Sequence, residues 1–387
     1  MINVLPTFQR TEDLLQLMSP SEPVYCIYPD AAVASARNIV CGFNGRVLYA
    51  VKANDHPVIL NTLSDSGVKH FDCASLSEIA VVHANCDDPR CYFMTPVRLR
   101  GAAKEAQSKF GVKHFLIDHR SGIEQLYEEI TMKGSVVFAR MAVAHDSAMI
   151  NLSNRFGAPP DDIPELLQII QDSGAEPALA FNVGSGVTSP SAYIHAIDIV
   201  KQILDGVPFR IRLLDIGGGF PRPYPGFDVP NLELYFDGIS DAVRTLRLAK
   251  NAEVLCEPGR ALAGPSMSAI VEVRLRKEGR IYLNDGMYGI FWELRFKGHE
   301  RFPVRVFRDG KPHTGATRPF RLFGPTCDGS DELPGDVELP ADISVGDYLE
   351  FGDIGAYSLT GRTNFNGFHS DRIVSIIGSR PPSSLCN

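Results

Sequence analysis

The sequence repeats one pattern, in which a short apolar run precedes a longer stretch with helical spacing. Most runs are rich in Val, Ile, Leu and Phe without strict alternation, as in parallel strands buried on both faces. The eight runs are Val47–Val51, Phe71–Ala74, Cys91–Met94, His114–Ile117, Val136–Val143, Ala178–Val183, Leu213–Ile216 and Glu253–Cys256. The predicted helices include Pro57–Ser66, Ser75–Ala84, Ser121–Met132, Pro164–Asp172 and Ala192–Leu204. Eight such units predict an α/β fold, a (β/α)8 TIM-type barrel, with an open doubly wound sheet as the alternative.

The pattern changes after residue 262. Ala269–Arg276 and Pro303–Phe307 alternate apolar and polar residues, and Asp347–Phe351 also has strand character. Pro23–Tyr28 adds a strand-like piece near the N-terminus. We therefore predict a barrel domain over residues 30–262, and an antiparallel β domain formed by residues 1–29 and 263–387.

Net charge, apolar run lengths and cysteine spacing argue against several classes of protein. The net charge is -8, from 38 basic and 46 acidic residues, which gives no reason to expect nucleic acid as a partner. No stretch is apolar enough for a membrane span, and the N-terminus lacks the pattern of a secretion signal. The eight cysteines include no CxxC pair, so we expect no metal site and a reducing, cytoplasmic location.

Residues with reactive side chains collect where the predicted strands end. Barrel enzymes carry their active sites at this C-terminal end of the strands. One lysine, several carboxylates and glycine-rich turns are found there: Lys52, Asp72, Glu78, Arg140, Asn182, Ser185, Gly217, Gly218, Gly219, Glu257, Gly259 and Arg260.

Each of these groups has a structural and a functional interpretation. Lys52 could simply reach solvent, or it could be a desolvated amine that forms a Schiff base. The run Gly217–Gly219 could be a tight turn or a phosphate site, and its place after the seventh strand favours phosphate. Glu257 and Arg260 could form a structural ion pair, or hold a pyridine nitrogen and a phosphate. Together, in this order, they predict a pyridoxal 5′-phosphate site.

At this point the sequence resembles a known family. It looks like the fold-type III enzymes dependent on pyridoxal phosphate, whose barrel is alanine racemase-like, and within them the ornithine decarboxylase-like group of class II Orn/Lys/Arg decarboxylases. The resemblance extends from about residue 23 to residue 370. It is carried by Tyr49-Ala-Val-Lys52-Ala-Asn54, Phe71-Asp-Cys-Ala-Ser75-x-x-Glu78, Val183-Gly-Ser-Gly186, Leu214-Asp-Ile-Gly-Gly-Gly219, Cys256-Glu-Pro-Gly-Arg260, Asn284-Asp-Gly-x-Tyr288-Gly, Phe323-Gly-Pro-Thr-Cys-Asp328, Gly355-Ala-Tyr357 and Phe365-Asn-Gly-Phe368.

The resemblance implies a role for each matched residue. Lys52 would form the imine with the cofactor, and Glu257 would pair with the pyridine nitrogen. Cys327 would reach in from the partner subunit of a homodimer and protonate the carbanion. Asp328 would meet the distal amine of the substrate, with Tyr288 and Phe365 nearby. The phosphate would be held by Ser185, Gly217 to Gly219, Arg260 and Tyr357, and support would come from Asp72, Glu78 and Arg140.

Two positions depart from the family pattern. Asn182 stands where a histidine usually stacks on the cofactor ring. Lys297 stands, by ungapped count, where an acidic residue contacts the distal amine in ornithine decarboxylases, and a lysine there would repel a cation. Either a gap lets Glu293 or Glu300 serve, or the substrate is not simple ornithine.

The reaction that the resemblance implies is decarboxylation of a basic L-amino acid, ornithine or lysine, in polyamine-type metabolism. One alternative is a modified or acid-bearing substrate, as in a siderophore pathway, held by Lys297 or Arg295. A second is an amino-acid racemase, which would need a second base, typically a tyrosine, opposite the lysine. Cys327 and Asp328 stand where that tyrosine would be expected, which argues against a racemase. A third is a non-catalytic relative that binds a partner protein, which the presence of Lys52, Glu257 and Cys327 disfavours.

Overall fold

The computed structural model describes residues 5–143, 148–150, 155–295 and 302–378. The chain divides into two compact units. The barrel unit comprises residues 36–222 and 229–262, and the β unit comprises residues 1–35, 223–228 and 263–387. Within the described ranges, no helix is long and apolar enough to cross a bilayer.

The barrel unit is built on a closed ring of parallel strands. Its eight strands are Arg46–Ala50, His70–Cys73, Arg90–Phe93, His114–Ile117, Val136–Met141, Glu176–Phe181, Leu213–Asp215 and Glu253–Cys256. The ring closes where the eighth strand pairs with the first, through Leu255 with Arg46 and Cys256 with Val47. The predicted barrel is therefore confirmed, and the open sheet is wrong.

Apolar side chains fill the interior of the barrel. Residues such as Leu48, Phe138 and Leu255 come from different strands and are fully buried in one cluster. Because both faces of each strand are covered, the strands need no polar face, which explains the continuous apolar runs in the sequence. The functional residues can therefore lie only at the ends of the strands.

Helices alternate with the strands. Besides Thr11–Met18 in the β unit, the described helices of eight or more residues are Pro29–Gly42, Pro57–Asp65, Leu76–Asn85, Ala102–Phe110, Arg120–Glu129, Ile163–Asp172, Ser191–Gly206 and Leu232–Val243, and a short helix spans Arg260–Ala263. Local capping sets several of their starts. The imidazole of His56 accepts a hydrogen bond from the amide of Val58, and the hydroxyl of Ser75 accepts one from the amide of Glu78.

The β unit contains a ten-stranded sheet and the helix Thr11–Met18. Its strands are Thr7–Phe8, Val24–Ile27, Met267–Lys277, Arg280–Leu283, Val304–Arg308, Lys311–Pro312, Thr317–Phe323, Val337–Pro340, Tyr348–Phe351 and Ile373–Ile376. Most neighbouring pairs are antiparallel, as predicted. Ile373–Ile376, however, runs parallel to Val24–Ile27, and Arg280–Leu283 runs parallel to Thr317–Phe323.

One buried acid, Glu350, joins its own strand to four other segments of the β unit. Glu350 is 3% exposed and accepts hydrogen bonds from Tyr28 at 2.7 Å and Ser268 at 2.7 Å. It also accepts one from Thr11 at 3.1 Å and forms an ion pair with Arg305. A buried carboxylate with this many donors is satisfied in place, so it fixes the positions of the strands around it.

Candidate active site

Lys52 lies at the mouth of the barrel. The first strand ends at Ala50, and a single 3-10 turn over Val51–Ala53 carries the lysine beyond it. The Nζ atom of Lys52 lies 2.7 Å from the Oδ2 atom of Asp72, which is near the end of the second strand, His70–Cys73. This ion pair fixes the amine to the rigid rim of the barrel.

Buried carboxyl groups surround this amine and have high proton affinity. Burial raises the pKa of Glu257 well above its usual range, and the nearby charge of Asp215 adds to the effect. Burial also raises the pKa of Asp215 to about 7 and the pKa of Glu78 to about 7. The charges of Lys52 and Arg140 act in the opposite direction on Glu257. The site thus concentrates acids that hold protons near neutral pH.

The glycine run after the seventh strand passes very close to neighbouring backbone. A Cβ on Gly217 would lie 2.5 Å from the carbonyl oxygen of Phe181, and one on Gly219 would lie 2.6 Å from that of Gly184. Both glycines also have positive φ, of 70° and 99°. Side chains are excluded for both reasons, so the loop can present bare backbone to a ligand.

Hydrogen bonds hold this loop from behind. The hydroxyl of Tyr193 donates to the carbonyl of Gly218 at 2.8 Å, and the amide of Glu257 donates to the carbonyl of Gly217 at 2.8 Å. Among the described residues, the amides of Gly218 and Gly219 donate to no protein acceptor. Two backbone donors are therefore available to an anion at this point.

The remaining residues predicted for the barrel occupy the same end. The side-chain oxygen of Asn182 accepts the amide of Gly184 at 3.0 Å, so it orders its own loop. Ser185 begins a short antiparallel pair with residues 148–150. Arg260 is 6% exposed and starts a short helix after the eighth strand, directly after Gly259.

The β unit carries a second group of predicted residues around Cys327. The loop that holds this cysteine is fixed by Asp331, which is 3% exposed. The Oδ2 atom of Asp331 accepts the amide of Thr326 at 2.9 Å, and its Oδ1 atom accepts the amide of Met287 at 2.7 Å. One buried carboxylate therefore joins the cysteine loop to the segment that precedes Tyr288.

Asp328 is an exposed acid that stays charged. The side chain and the backbone amide of Ser330 donate hydrogen bonds to it and hold its pKa below the usual value. Tyr288 stacks on Phe365 with ring centroids 4.4 Å apart. The guanidinium of Arg295 lies 4.5 Å from the Tyr288 ring centroid. This patch therefore combines one anion, one cation and two aromatic rings.

Two predictions for the distal-amine contact concern residues 297 and 300. Lys297 and Glu300 lie outside the described residues. Glu293 is 2% exposed, within the 3-10 helix Trp292–Arg295, so its carboxylate does not face open solvent. Tyr357, predicted to hold phosphate, lies in the β unit with a positive φ of 59°.

Comparison with known proteins identifies the family. Residues 31–264 match the family model for the pyridoxal-dependent decarboxylase, pyridoxal binding domain. The lysine/ornithine decarboxylase of Selenomonas ruminantium is 32% identical over 334 residues, which cover 84% of this chain and 81% of that protein. This chain belongs to the pyridoxal-dependent decarboxylase family. It is therefore a carboxy-lyase that uses pyridoxal phosphate.

Solved structures of decarboxylases share the fold. The arginine decarboxylase of Paramecium bursaria Chlorella virus, bound to agmatine, superposes with a TM-score of 0.84 at 27% identity, covering 94% of this chain and 98% of that one. The lysine/ornithine decarboxylase of Vibrio vulnificus, complexed with putrescine, gives 0.81 at 26% identity, covering 94% and 96%. The match spans both units of the decarboxylase chain.

The residues at the barrel mouth suit the cofactor of this decarboxylase family. The Oδ1 atom of Asp72 is buried and, within the described residues, has no hydrogen-bond partner, although its other oxygen binds Lys52. Such a buried acceptor favours a ligand that supplies positive charge or a proton. The amides of Gly218 and Gly219 suit the phosphate of the same molecule.

The sequence motifs predict no role for two acids that are important in the structure of this decarboxylase, Asp215 at the mouth of the barrel and Asp331 beneath the cysteine loop. Asp215 belongs to the glycine motif and has no predicted role there, although an acid close before a glycine run at a strand end is a visible signal. Asp331 has no such signal, because its importance comes from the amide of Met287, 44 residues away in the sequence.

Proposed function

We propose that this enzyme decarboxylates a basic L-amino acid, ornithine or lysine, to the corresponding diamine. The observation that carries the proposal is Asp328, an exposed carboxylate whose pKa is held low by Ser330. It is two residues from Thr326, whose amide is held by the buried carboxylate of Asp331, and follows Cys327 directly. An anion that persists at neutral pH favours a substrate with an ammonium group at its far end.

The residues at the barrel mouth would hold and tune the cofactor. When bound, pyridoxal phosphate supplies the electron sink that accepts the electron pair left as carbon dioxide departs. The Lys52 amine would hold its aldehyde carbon, and Glu257 would keep a proton on its ring nitrogen. The amides of Gly218 and Gly219, with Ser185, Arg260 and Tyr357, would bind its phosphate.

The residues of the Cys327 loop would complete the reaction. The thiol of Cys327 would donate its proton to the α-carbon of the substrate, because a thiol at a reacting centre can act as a general acid. Asp328 would bind the distal ammonium group and so orient the carboxylate for departure. We also propose that the enzyme is a homodimer in which Cys327 of one subunit serves the barrel of the other.

Product analysis of the purified enzyme tests this function. We expect equal amounts of carbon dioxide and diamine from ornithine or lysine, and no racemised amino acid. The Cys327→Ala variant should lose diamine formation by about 100-fold, a typical loss for a general acid, while its cofactor content stays unchanged. Equal loss of cofactor and product would remove Cys327 from the role of proton donor, and racemisation without carbon dioxide would overturn the proposal.

A specific observation supports a second candidate substrate, one with an acid group at its distal end. Arg295 lies over the ring of Tyr288 and contributes to the low pKa of Asp328, so a cation and an anion share this patch. A substrate with both an amine and a carboxylate at that end, such as diaminopimelate, would satisfy both charges.

The two candidates predict opposite effects of one substitution. If the substrate carries a distal carboxylate, Arg295→Gln should raise its KM about 10-fold or more, because one charge-assisted hydrogen bond is lost. If the substrate is lysine or ornithine, the same variant should bind it as well as the parent enzyme or better. Asp328→Asn should weaken both substrates and serves as the matched control.

A further inference from the structure

The side chain of Asn366 makes two contacts with the same residue. Its Oδ1 atom lies 3.4 Å from the sulfur of Cys327 and 3.4 Å from the backbone nitrogen of Cys327, and accepts a hydrogen bond from each. The distance from sulfur is within the range for a thiol donor, because sulfur is larger than oxygen. One amide oxygen thus fixes both the main chain and the proton-bearing atom of this cysteine.

The backbone around Asn366 favours glycine, yet the chain has a side chain there. Asn366 has a φ of 54°, in the left-handed region, within the 3-10 turn Phe365–Gly367. Most side chains are disfavoured in that conformation, and asparagine is among the few that tolerate it. Asparagine therefore combines this backbone shape with an amide group, which glycine could not supply.

The turn that carries Asn366 is itself held in place. The carbonyl of Tyr288 accepts hydrogen bonds from the amide of Thr363 at 2.8 Å and from its hydroxyl at 2.9 Å. The ring of Phe365 stacks on that of Tyr288. Since Asp331 fixes the cysteine loop on the other side, Asn366 and Cys327 meet between two anchored segments.

We propose that Asn366 is a positioning residue for the Cys327 thiol, directing its proton toward one face of the substrate. The inference rests on the proposed function, in which Cys327 is the proton donor. In that step the S–H bond breaks, a C–H bond forms at the α-carbon, and sulfur keeps the electron pair until water returns a proton. Without Asn366, the thiol would rotate freely, so protonation of the α-carbon would be slower and less selective for that atom.

Alkylation of the holoenzyme tests the contact without measuring activity. Iodoacetamide labelling of Cys327 is compared with labelling of Cys41, which is also exposed and serves as the internal reference. Asn366→Gly keeps the left-handed backbone but removes the acceptor that holds the thiol proton, so labelling of Cys327 should accelerate about fivefold. Asn366→Asp keeps an acceptor and adds a negative charge that disfavours the thiolate, so labelling should slow.

Product stoichiometry tests the consequence. The parent enzyme should form one molecule of amine for each molecule of carbon dioxide. In deuterated water, the former α-carbon of the amine should carry deuterium in a single stereochemical configuration. Asn366→Gly should give less amine per carbon dioxide and lose that stereochemical purity, and Asn366→Asp should restore both in part. Asn364→Gly, in the same segment, is the matched control and should behave as the parent.

Distinct outcomes separate the two proposals. If Cys327 labelling is unchanged, or shifts in the same direction in both Asn366 variants, the positioning role is overturned. A slower Asn366→Gly enzyme with unchanged stoichiometry and stereochemistry would also overturn it, because a purely structural role predicts that result. If the parent releases no carbon dioxide from any basic amino acid, the proposed function fails, whereas the labelling result still reports on the contact.

Discussion

The carboxylate of Asp72 and the amine of Lys52 lie 2.7 Å apart in contrasting surroundings, since the Asp72 side chain is 1% exposed and that of Lys52 is 44% exposed. The acid is thus fixed within the barrel rim, while the amine remains accessible from the mouth. An amine held in this way can meet an incoming aldehyde without losing its orientation.

Replacing Lys52 tests this arrangement directly. We expect Lys52→Ala to abolish the visible absorbance of the purified decarboxylase, and borohydride reduction of the parent enzyme to attach the cofactor to the Lys52 peptide. Lys69→Ala, at the opposite end of the barrel where the second strand begins, should retain full absorbance. A borohydride adduct on any other lysine would contradict the assignment.

Gly217→Ala should weaken cofactor binding. The new Cβ would lie 2.5 Å from the carbonyl oxygen of Phe181, on a backbone with a φ of 70°, so the loop must move away from its present position. We expect a loss of about 1–3 kcal/mol in stability and a clear rise in the dissociation constant measured by equilibrium dialysis. Gly206→Ala is the control, because nothing lies within 4 Å of its Cβ position. Equal affinities in the two variants would refute the predicted role of the loop.

Asp215→Asn should change how stability depends on pH. The folded-state pKa of Asp215 is raised to about 7, above its ordinary value of 3.8, so between these values the folded apoenzyme binds more protons than the unfolded chain. Stability of the parent should therefore fall as pH rises from about 4 to 7, with a contribution from Asp215 of up to about 1.4 kcal/mol per pH unit.

The asparagine variant removes that contribution while keeping an oxygen for the amide of Gly217, which Asp215 binds at 2.8 Å. Urea unfolding of the two apoenzymes across this pH range measures the difference. We expect a flatter profile for the variant and a higher midpoint above pH 7. Parallel profiles would show that Asp215 titrates at its ordinary value.

Asp331→Asn should loosen the cysteine loop. An asparagine has one acceptor oxygen, so either the amide of Thr326 or that of Met287 loses its buried partner, at a cost of about 1–3 kcal/mol. The urea midpoint should fall, and kcat should fall with it while cofactor content is unchanged. Asp336→Asn, an exposed position in the same unit, should leave both quantities at their parent values.

The barrel could be predicted from the sequence because its strands are short, apolar and buried on both faces. Each of the eight predicted runs overlaps an observed barrel strand. The helices Ala102–Phe110 and Leu232–Val243 did not appear among the predicted ones. In Ala102–Phe110 only three small residues, all alanines, are buried, which leaves a weak apolar pattern.

The placement of a candidate site residue was predictable where its motif lies at the end of a strand, as with Lys52, Gly217 and Glu257. Contacts between distant segments were not. Asn366 binds Cys327 across 39 residues of sequence, and no local pattern marks that pairing. The parallel pairing of Arg280–Leu283 with Thr317–Phe323 was missed for the same reason, since alternation alone does not reveal strand direction.

The pairing of the eighth strand with the first has a consequence for biosynthesis. Lys52 is translated long before Glu257, which follows the last strand, so a nascent chain lacks one side of the vitamin pocket until the eighth strand has been made. Binding of vitamin B6 should therefore show when the strands of the barrel have closed into a ring. Chains halted before residue 253 should emerge colourless, however much of the vitamin the cell provides.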